Sequence, residues 1–165
     1  MGSVPFFGID GDGLSRNQAA SATSRNARLD TFLVGNEVLV LDGGLGTHLA
    51  DRGNDVTDSL WSARILRDNP AEVRAAHADF FAAGADVATA CSYQVTFDGL
   101  KQAGGRAEET EDLLRTSVRI AWEGAEDVGG APRWIAASIG PYGAGPGQGT
   151  EYDGAYGLTV PELAH

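Results

Sequence analysis

Three apolar runs of strand length, beginning at Val38, Asp86 and Trp134, recur at intervals of 48 residues, and each leaves through polar or glycine-rich residues. The first, Val38 to Leu41, is too short for a buried helix and has the β-branched content of a strand covered on both faces. It ends on Asp42, and the chain passes directly into Gly43, Gly44 and Gly46. The second run, Asp86 to Cys91, exits through Ser92-Tyr93-Gln94, and the third, Trp134 to Ile139, through Gly140-Pro141-Tyr142-Gly143.

Helical patterns fill the intervals. Thr47 to Arg52 reads as a short helical turn, and Thr57 or Asp58 as the cap of a helix from Ser59 to about Arg67. Asn69-Pro70 stops that helix and starts another with Pro in its first position. In it Val73, Ala76, His77, Phe80 and Ala83 share one apolar face, and Gly84 ends it. After Gly104-Gly105 a long helix runs from Ala107 to about Glu126, with Leu113, Ser117, Ile120, Ala121 and Gly124 as its buried stripe. The carboxylates Glu108, Glu109, Glu111 and Asp112 in its first turns complement the helix dipole on a solvated face rather than hold a metal. Near the C-terminus Thr159 and Glu162 form a capping box around Pro161.

Alternating strands and helices predict a parallel sheet with helical crossovers. Polar residues at every strand exit match the catalytic face of a (β/α)8 barrel. The expected fold is therefore α/β, the N-terminal part of a (β/α)8 TIM barrel with about three βα units, incomplete. A complete barrel takes roughly 250 residues, and the chain has 165. A doubly wound sheet is the rival, but its dinucleotide fingerprint fails, because Leu49 stands where a third glycine belongs after Gly44-Leu45-Gly46.

Composition limits the partners. A net charge of -11 argues against duplex nucleic acid and anionic membrane surfaces, which require basic patches. The single cysteine, Cys91, can make neither an internal disulfide nor a multi-thiolate metal site, and reads as a buried small hydrophobe. No segment has the ~18 apolar residues of a membrane span, and the N-terminus lacks a signal-peptide pattern, so the protein is expected to be cytoplasmic. Residues 1–30 read as a flexible N-terminal extension, and residues 31–165 as the partial barrel domain. Within the extension, Asp10-Gly11-Asp12-Gly13 breaks the calcium-loop formula at Leu14.

A carboxylate at a strand tip either caps the next turn or binds a ligand, and the three adjacent glycines favour binding for Asp42. His48, His77 and His165 show no paired metal spacing, and His77 reads as packing. Trp61, Trp122 and Trp134 read as core or helix-to-sheet packing residues.

Taken together, Leu41-Asp42-Gly43-Gly44-Leu45-Gly46-Thr47, Leu60-Trp61-Ser62-Ala63-Arg64, Gly84-Ala85-Asp86-Val87, Ser92-Tyr93-Gln94, Ser138-Ile139-Gly140-Pro141-Tyr142-Gly143-Ala144, Glu151-Tyr152 and Tyr156 resemble, in order and spacing, the N-terminal half of the homocysteine S-methyltransferases. The resemblance implies a zinc-dependent (β/α)8 barrel that methylates homocysteine to methionine from a sulfonium donor, S-methylmethionine or S-adenosylmethionine. It also implies zinc ligands in the C-terminal half, absent from this chain, so that the chain alone is expected to be inactive. Carried over residue by residue, Asp42, Gly43 and Gly44 resemble the element receiving homocysteine's ammonium and chain. Ser92, Tyr93 and Gln94 resemble the neighbouring strand tip, with Tyr142 beside them, and Glu151 and Tyr152 fall in a loop over the site or in solvent. Two other readings stand beside this one. A non-catalytic half-barrel fragment or binding protein would self-associate through its open sheet edge. A phosphate-binding barrel enzyme would cradle an anion on the glycine loop, against the charge of Asp42.

Overall fold

The computed structural model describes residues 38–57, 60–130, 132–145, 151–152 and 154–163. Residues 1–30, read from sequence as a flexible extension, and the Asp10–Gly13 run lie outside the described residues. The elements below belong to one compact unit, Leu39–His165.

Two strands, β1 (Val87–Thr89) and β2 (Trp134–Ala136), pair in parallel with Val87 opposite Trp134 and Thr89 opposite Ala136. Leu41 adds a parallel bridge to Val87 on the other side of β1. The three runs therefore lie in chain order with helical crossovers between them, as the alternation predicts. The helices are α1 (Leu45–Asp51), α2 (Ser62–Asp68), α3 (Pro70–Ala82), α4 (Phe97–Gln102), α5 (Ala107–Val128) and α6 (Val160–Leu163), with a 3-10 turn at Tyr142–Ala144.

The strands are shorter than the sequence suggests. Val38 to Val40 form no strand; Val40 instead accepts from the amides of Asp86 (2.8 Å) and Val87 (3.2 Å), and its own amide donates to the Asp86 carboxylate at 2.9 Å. Nor is this run covered on both faces, since Val40 and Leu41 are 49% and 63% exposed. Among the described residues only β1 has a neighbour on each side, and correspondingly Val87 and Ala88 are buried. Cys91 lies in a turn beyond β1, because the Ser92 amide folds back to Ala90 O (2.8 Å) and the Val95 amide to Ser92 O (3.0 Å). Its burial among Leu49, Ala63 and Leu100 agrees with the reading as a small hydrophobe.

Helix α3 begins at Pro70 as expected and buries Val73, Ala76 and His77, but Phe81 rather than Phe80 completes the face, and Ala83 is exposed. Gly84, at φ +104°, follows the helix, where the Ala85 amide bonds back to Phe80 O at 3.0 Å. The α5 stripe is buried throughout, with Thr110 and Ala125 added. Gly124 lets α5 approach α3: a Cβ there would lie 2.9 Å from Arg74 O and 3.1 Å from Ala78 N. The start of α2 differs from expectation, because Thr57 pairs with Asp55 (Oγ1 to Oδ1, 2.6 Å) and Trp61 precedes the helix at φ +49°. Asp58, the other candidate cap, lies outside the described residues. The Thr159 amide and hydroxyl both donate to the Glu162 carboxylate at 2.7 Å, so the carboxylate half of the expected capping box forms.

Candidate functional site

The exits of the Leu41 run, β1 and β2 converge on a cleft of about 320 Å3, at the lower end of the range for small-ligand pockets. Asp42, Gly43, Tyr93 and Gln94 line it, together with Leu45, Gly46, Trp61, Ser62, Thr89, Cys91 and Ser138. Among the described residues no lysine or arginine lines it.

Asp42 is fixed before any ligand arrives. Its amide donates to Val87 O at 2.9 Å, while Oδ2 accepts from the Thr89 amide (2.8 Å) and Oδ1 from the Thr89 hydroxyl (3.0 Å). A carboxylate offers about four acceptor positions, so two bonds to Thr89 orient it and leave it able to accept from a cation. The expected glycine effect is only partly present. None of Gly43, Gly44 and Gly46 adopts a positive φ, so the turn itself does not require glycine. Gly43 packs against Phe80, where a Cβ would lie 3.1 Å from the ring, and the missing side chains of Gly43 and Gly46 keep the cleft wall low.

The second exit meets the third. Gly140 lies so close to Tyr93 that a Cβ would fall 2.5 Å from Tyr93 O, which no other residue tolerates without movement. Ser92 is buried off the cleft wall; its hydroxyl donates to Ser138 O (2.7 Å) and accepts from the Ser138 amide (3.2 Å), joining the two exits. Gln94 Oε1 accepts from the Ser62 hydroxyl at 3.3 Å, tying the β1 exit to α2. The Tyr93 hydroxyl donates to the Glu151 carboxylate, and this bond, followed by burial, pushes the phenol up to about 12. Gly44 and Tyr142 do not line the cleft: Gly44 caps α1, and Tyr142, half-exposed, meets the Tyr156 ring edge-on at 5.4 Å.

Three contributors were not singled out from sequence as site residues. Trp61 reads from sequence as a core or helix-to-sheet packing residue, yet it is 53% exposed on the cleft rim with φ +49°. Such a conformation costs a bulky residue about 1–3 kcal/mol and clusters at functional sites. A tryptophan immediately before a helix start was the available signal. Thr89 carries no local signal, because its partner Asp42 is 47 residues away. His77 lies fully buried with neither ring nitrogen hydrogen-bonded among the described residues. Desolvation drives it to about 4, opposed in part by the charge of Asp42.

Among the described residues no group of three or more His, Cys, Asp or Glu side chains is arranged to hold a metal. Burial also pushes the Cys91 thiol up to about 11, so it stays protonated at neutral pH. The residues described do not fit a zinc site.

Fold and site define a class: parallel βα units with a cleft at the strand exits. The model of the homocysteine S-methyltransferase family matches residues 39–165, and the chain belongs to that family. It is 43% identical over 143 residues to homocysteine S-methyltransferase YbgG of Bacillus subtilis, covering 82% of this chain and 44% of that one. Homocysteine S-methyltransferase 4 of Zea mays is also 43% identical, over 131 residues, covering 73% of this chain and 38% of that one. The metallated form of homocysteine methyltransferase MmuM from Escherichia coli superposes with a TM-score of 0.68 at 35% identity, covering 79% of this chain and 47% of that one. The chain thus spans less than half the length of the relatives it matches.

Proposed function

We propose that this chain carries the amino-acid-binding part of a homocysteine S-methyltransferase, built as about three βα units of a (β/α)8 barrel over residues 31–165. The observation that carries the reading is Asp42, held by two Thr89 bonds in the wall of a cleft with no lysine or arginine among its described lining residues. That environment favours a ligand's ammonium group and disfavours a phosphate, so the phosphate-binding alternative is the weaker one.

Asp42 with the backbone of Gly43 and Gly44 receives the ammonium and chain of homocysteine, and Tyr93 and Gln94 bound it from the second exit. Ser92 acts beneath them by fixing Ser138, and Tyr142 shapes the β2 exit. The methyl donor is a sulfonium, S-methylmethionine or S-adenosylmethionine. Its cationic sulfur is attracted to an aromatic ring, and Trp61 places one on the cleft rim. In the transfer the homocysteine sulfur, as the thiolate left once its proton has gone to solvent, bonds to the methyl carbon as the carbon–sulfonium bond breaks, and the bonding pair leaves with a now neutral thioether. Charge is consumed at the donor, so alignment and exclusion of water matter more than a general acid. Zinc, expected from the resemblance to activate the thiol, finds no ligand set among the described residues, and no step is assigned to it.

The same reading makes the protein cytoplasmic and gives it an open sheet edge at β2 for self-association. Among the described residues no helix is long and apolar enough to cross a membrane. The test is methionine formation by the purified chain with zinc and each donor, run beside calorimetry with homocysteine. Binding of homocysteine with little or no turnover is the expected outcome. Robust turnover would show that the account of the missing metal ligands is wrong, and absence of homocysteine binding would overturn the site.

A further inference from the structure

We propose that Glu151 is a positioning residue that, acting through Tyr93, sets the preference of this site for a cationic donor over an uncharged one. The inference rests on the methyl-transfer reading above and concerns a residue outside the cleft wall.

Tyr93 lines the cleft, and its hydroxyl donates to the Glu151 carboxylate, which comes from the loop after β2, 58 residues along the chain. That loop is tied down at two further points. Gly140 packs against Tyr93 O, and the Tyr142 ring meets Tyr156 at 5.4 Å. Glu151 is thus brought to the hydroxyl end of a ring that lines the cleft, and its burial is intermediate, which limits screening by solvent.

Chemistry follows from this arrangement. A phenol donating to a carboxylate carries more electron density on its oxygen and ring than a free phenol. A denser ring face attracts a cation more strongly. The raised phenol, at about 12, keeps the proton on Tyr93 at neutral pH, so the hydroxyl stays the donor of this bond. Among the described residues Asp42 is the one carboxylate on the cleft wall itself, and both its oxygens already accept from Thr89. The Tyr93–Glu151 pair therefore supplies a second negative element, separate from the one assigned to the ammonium. An uncharged thioether gains nothing from it.

The experiment compares S-methylmethionine with methionine, which share their ammonium and carboxylate groups and differ in the sulfonium charge. Calorimetry on the full 165-residue chain gives the affinity ratio for the wild type, Glu151→Gln and Tyr93→Phe. The wild type is expected to prefer S-methylmethionine, and each variant to lower that preference by about tenfold, a loss of about 1.4 kcal/mol. The double variant is expected to lose no more than either single one, as for two residues acting as one unit. Homocysteine affinity stays within about twofold in Glu151→Gln. If Glu151→Gln weakens both ligands equally, the residue only fastens the loop and the proposal is overturned. It is overturned too if the wild type binds homocysteine yet does not discriminate between the two ligands, an outcome that leaves the homocysteine reading intact. A wild type that binds none of the three ligands overturns both.

Discussion

Replacing Asp42 by Asn separates the structural from the binding role of this residue. In the folded chain its carboxylate accepts from the Thr89 amide at 2.8 Å and from the Thr89 hydroxyl at 3.0 Å. An asparagine keeps one acceptor oxygen for the amide, and its NH2 group donates to the hydroxyl, which rotates to accept. No hydrogen bond is lost, only its charge assistance, so unfolding free energy should fall by about 0.5–1 kcal/mol. Ligand binding responds differently. A hydrogen bond to a charged group contributes about 1.5–3 kcal/mol, so losing the carboxylate should weaken homocysteine by about 10- to 150-fold. Urea unfolding and calorimetry on the same preparation measure both numbers. A variant that binds homocysteine within about twofold of the wild type would refute the assignment of Asp42 to the ammonium. Asp42→Ala is the contrasting case: it orphans the Thr89 amide and should cost about 1–3 kcal/mol of folding as well.

Two further outcomes test the packing beneath the site. His77 is buried with its pKa depressed to about 4, first by desolvation, so between about pH 6.5 and 4 the unfolded chain binds a proton that the folded chain does not. Stability attributable to this residue is therefore full above pH 6.5, declines as pH falls towards 4, and is lower by about 3 kcal/mol below that. Denaturation midpoints at pH 7 and 4.5 should converge in His77→Leu, and an unchanged gap would contradict the assignment. Gly124→Ala gains about 1 kcal/mol of helix propensity. Its methyl nevertheless meets Arg74 O at 2.9 Å, a backbone atom that cannot swing aside. Overpacking costs about 1–3 kcal/mol, so a net loss is expected in urea unfolding, and a stabilised variant would show that α3 and α5 pack less closely than described.

The long helices were legible because their stripes are long. Leu113 to Gly124 repeat over three turns of α5, and Asn69-Pro70 marks the start of α3. Parallel order was legible from alternation alone. Strand length was not, since only three residues pair in each of β1 and β2, and the turn at Cys91–Gln94 is made by backbone bonds that any sequence can form. Helix α4, six residues with a glycine inside and Thr96 as its cap (Gly99 amide to Oγ1, 3.1 Å), is too short for periodicity to register. In the site, Asp42, Gly43, Tyr93 and Gln94 were found at strand exits because position alone suffices to bring them together. Thr89 and Glu151 act through partners 47 and 58 residues away. Trp61 was misread because a tryptophan's size usually buries it, whereas its backbone conformation turns this one to the rim.

The central claim is that the Asp42 cleft receives homocysteine's amino-acid end. Backbone amide chemical shifts recorded during a homocysteine titration test it most directly. The account predicts saturable shifts at Gly43, Gly44, Thr89 and Gln94, absent in Asp42→Asn at the same concentrations. Saturable binding whose shifts fall elsewhere in the chain, or shifts that persist unchanged in Asp42→Asn, would contradict it.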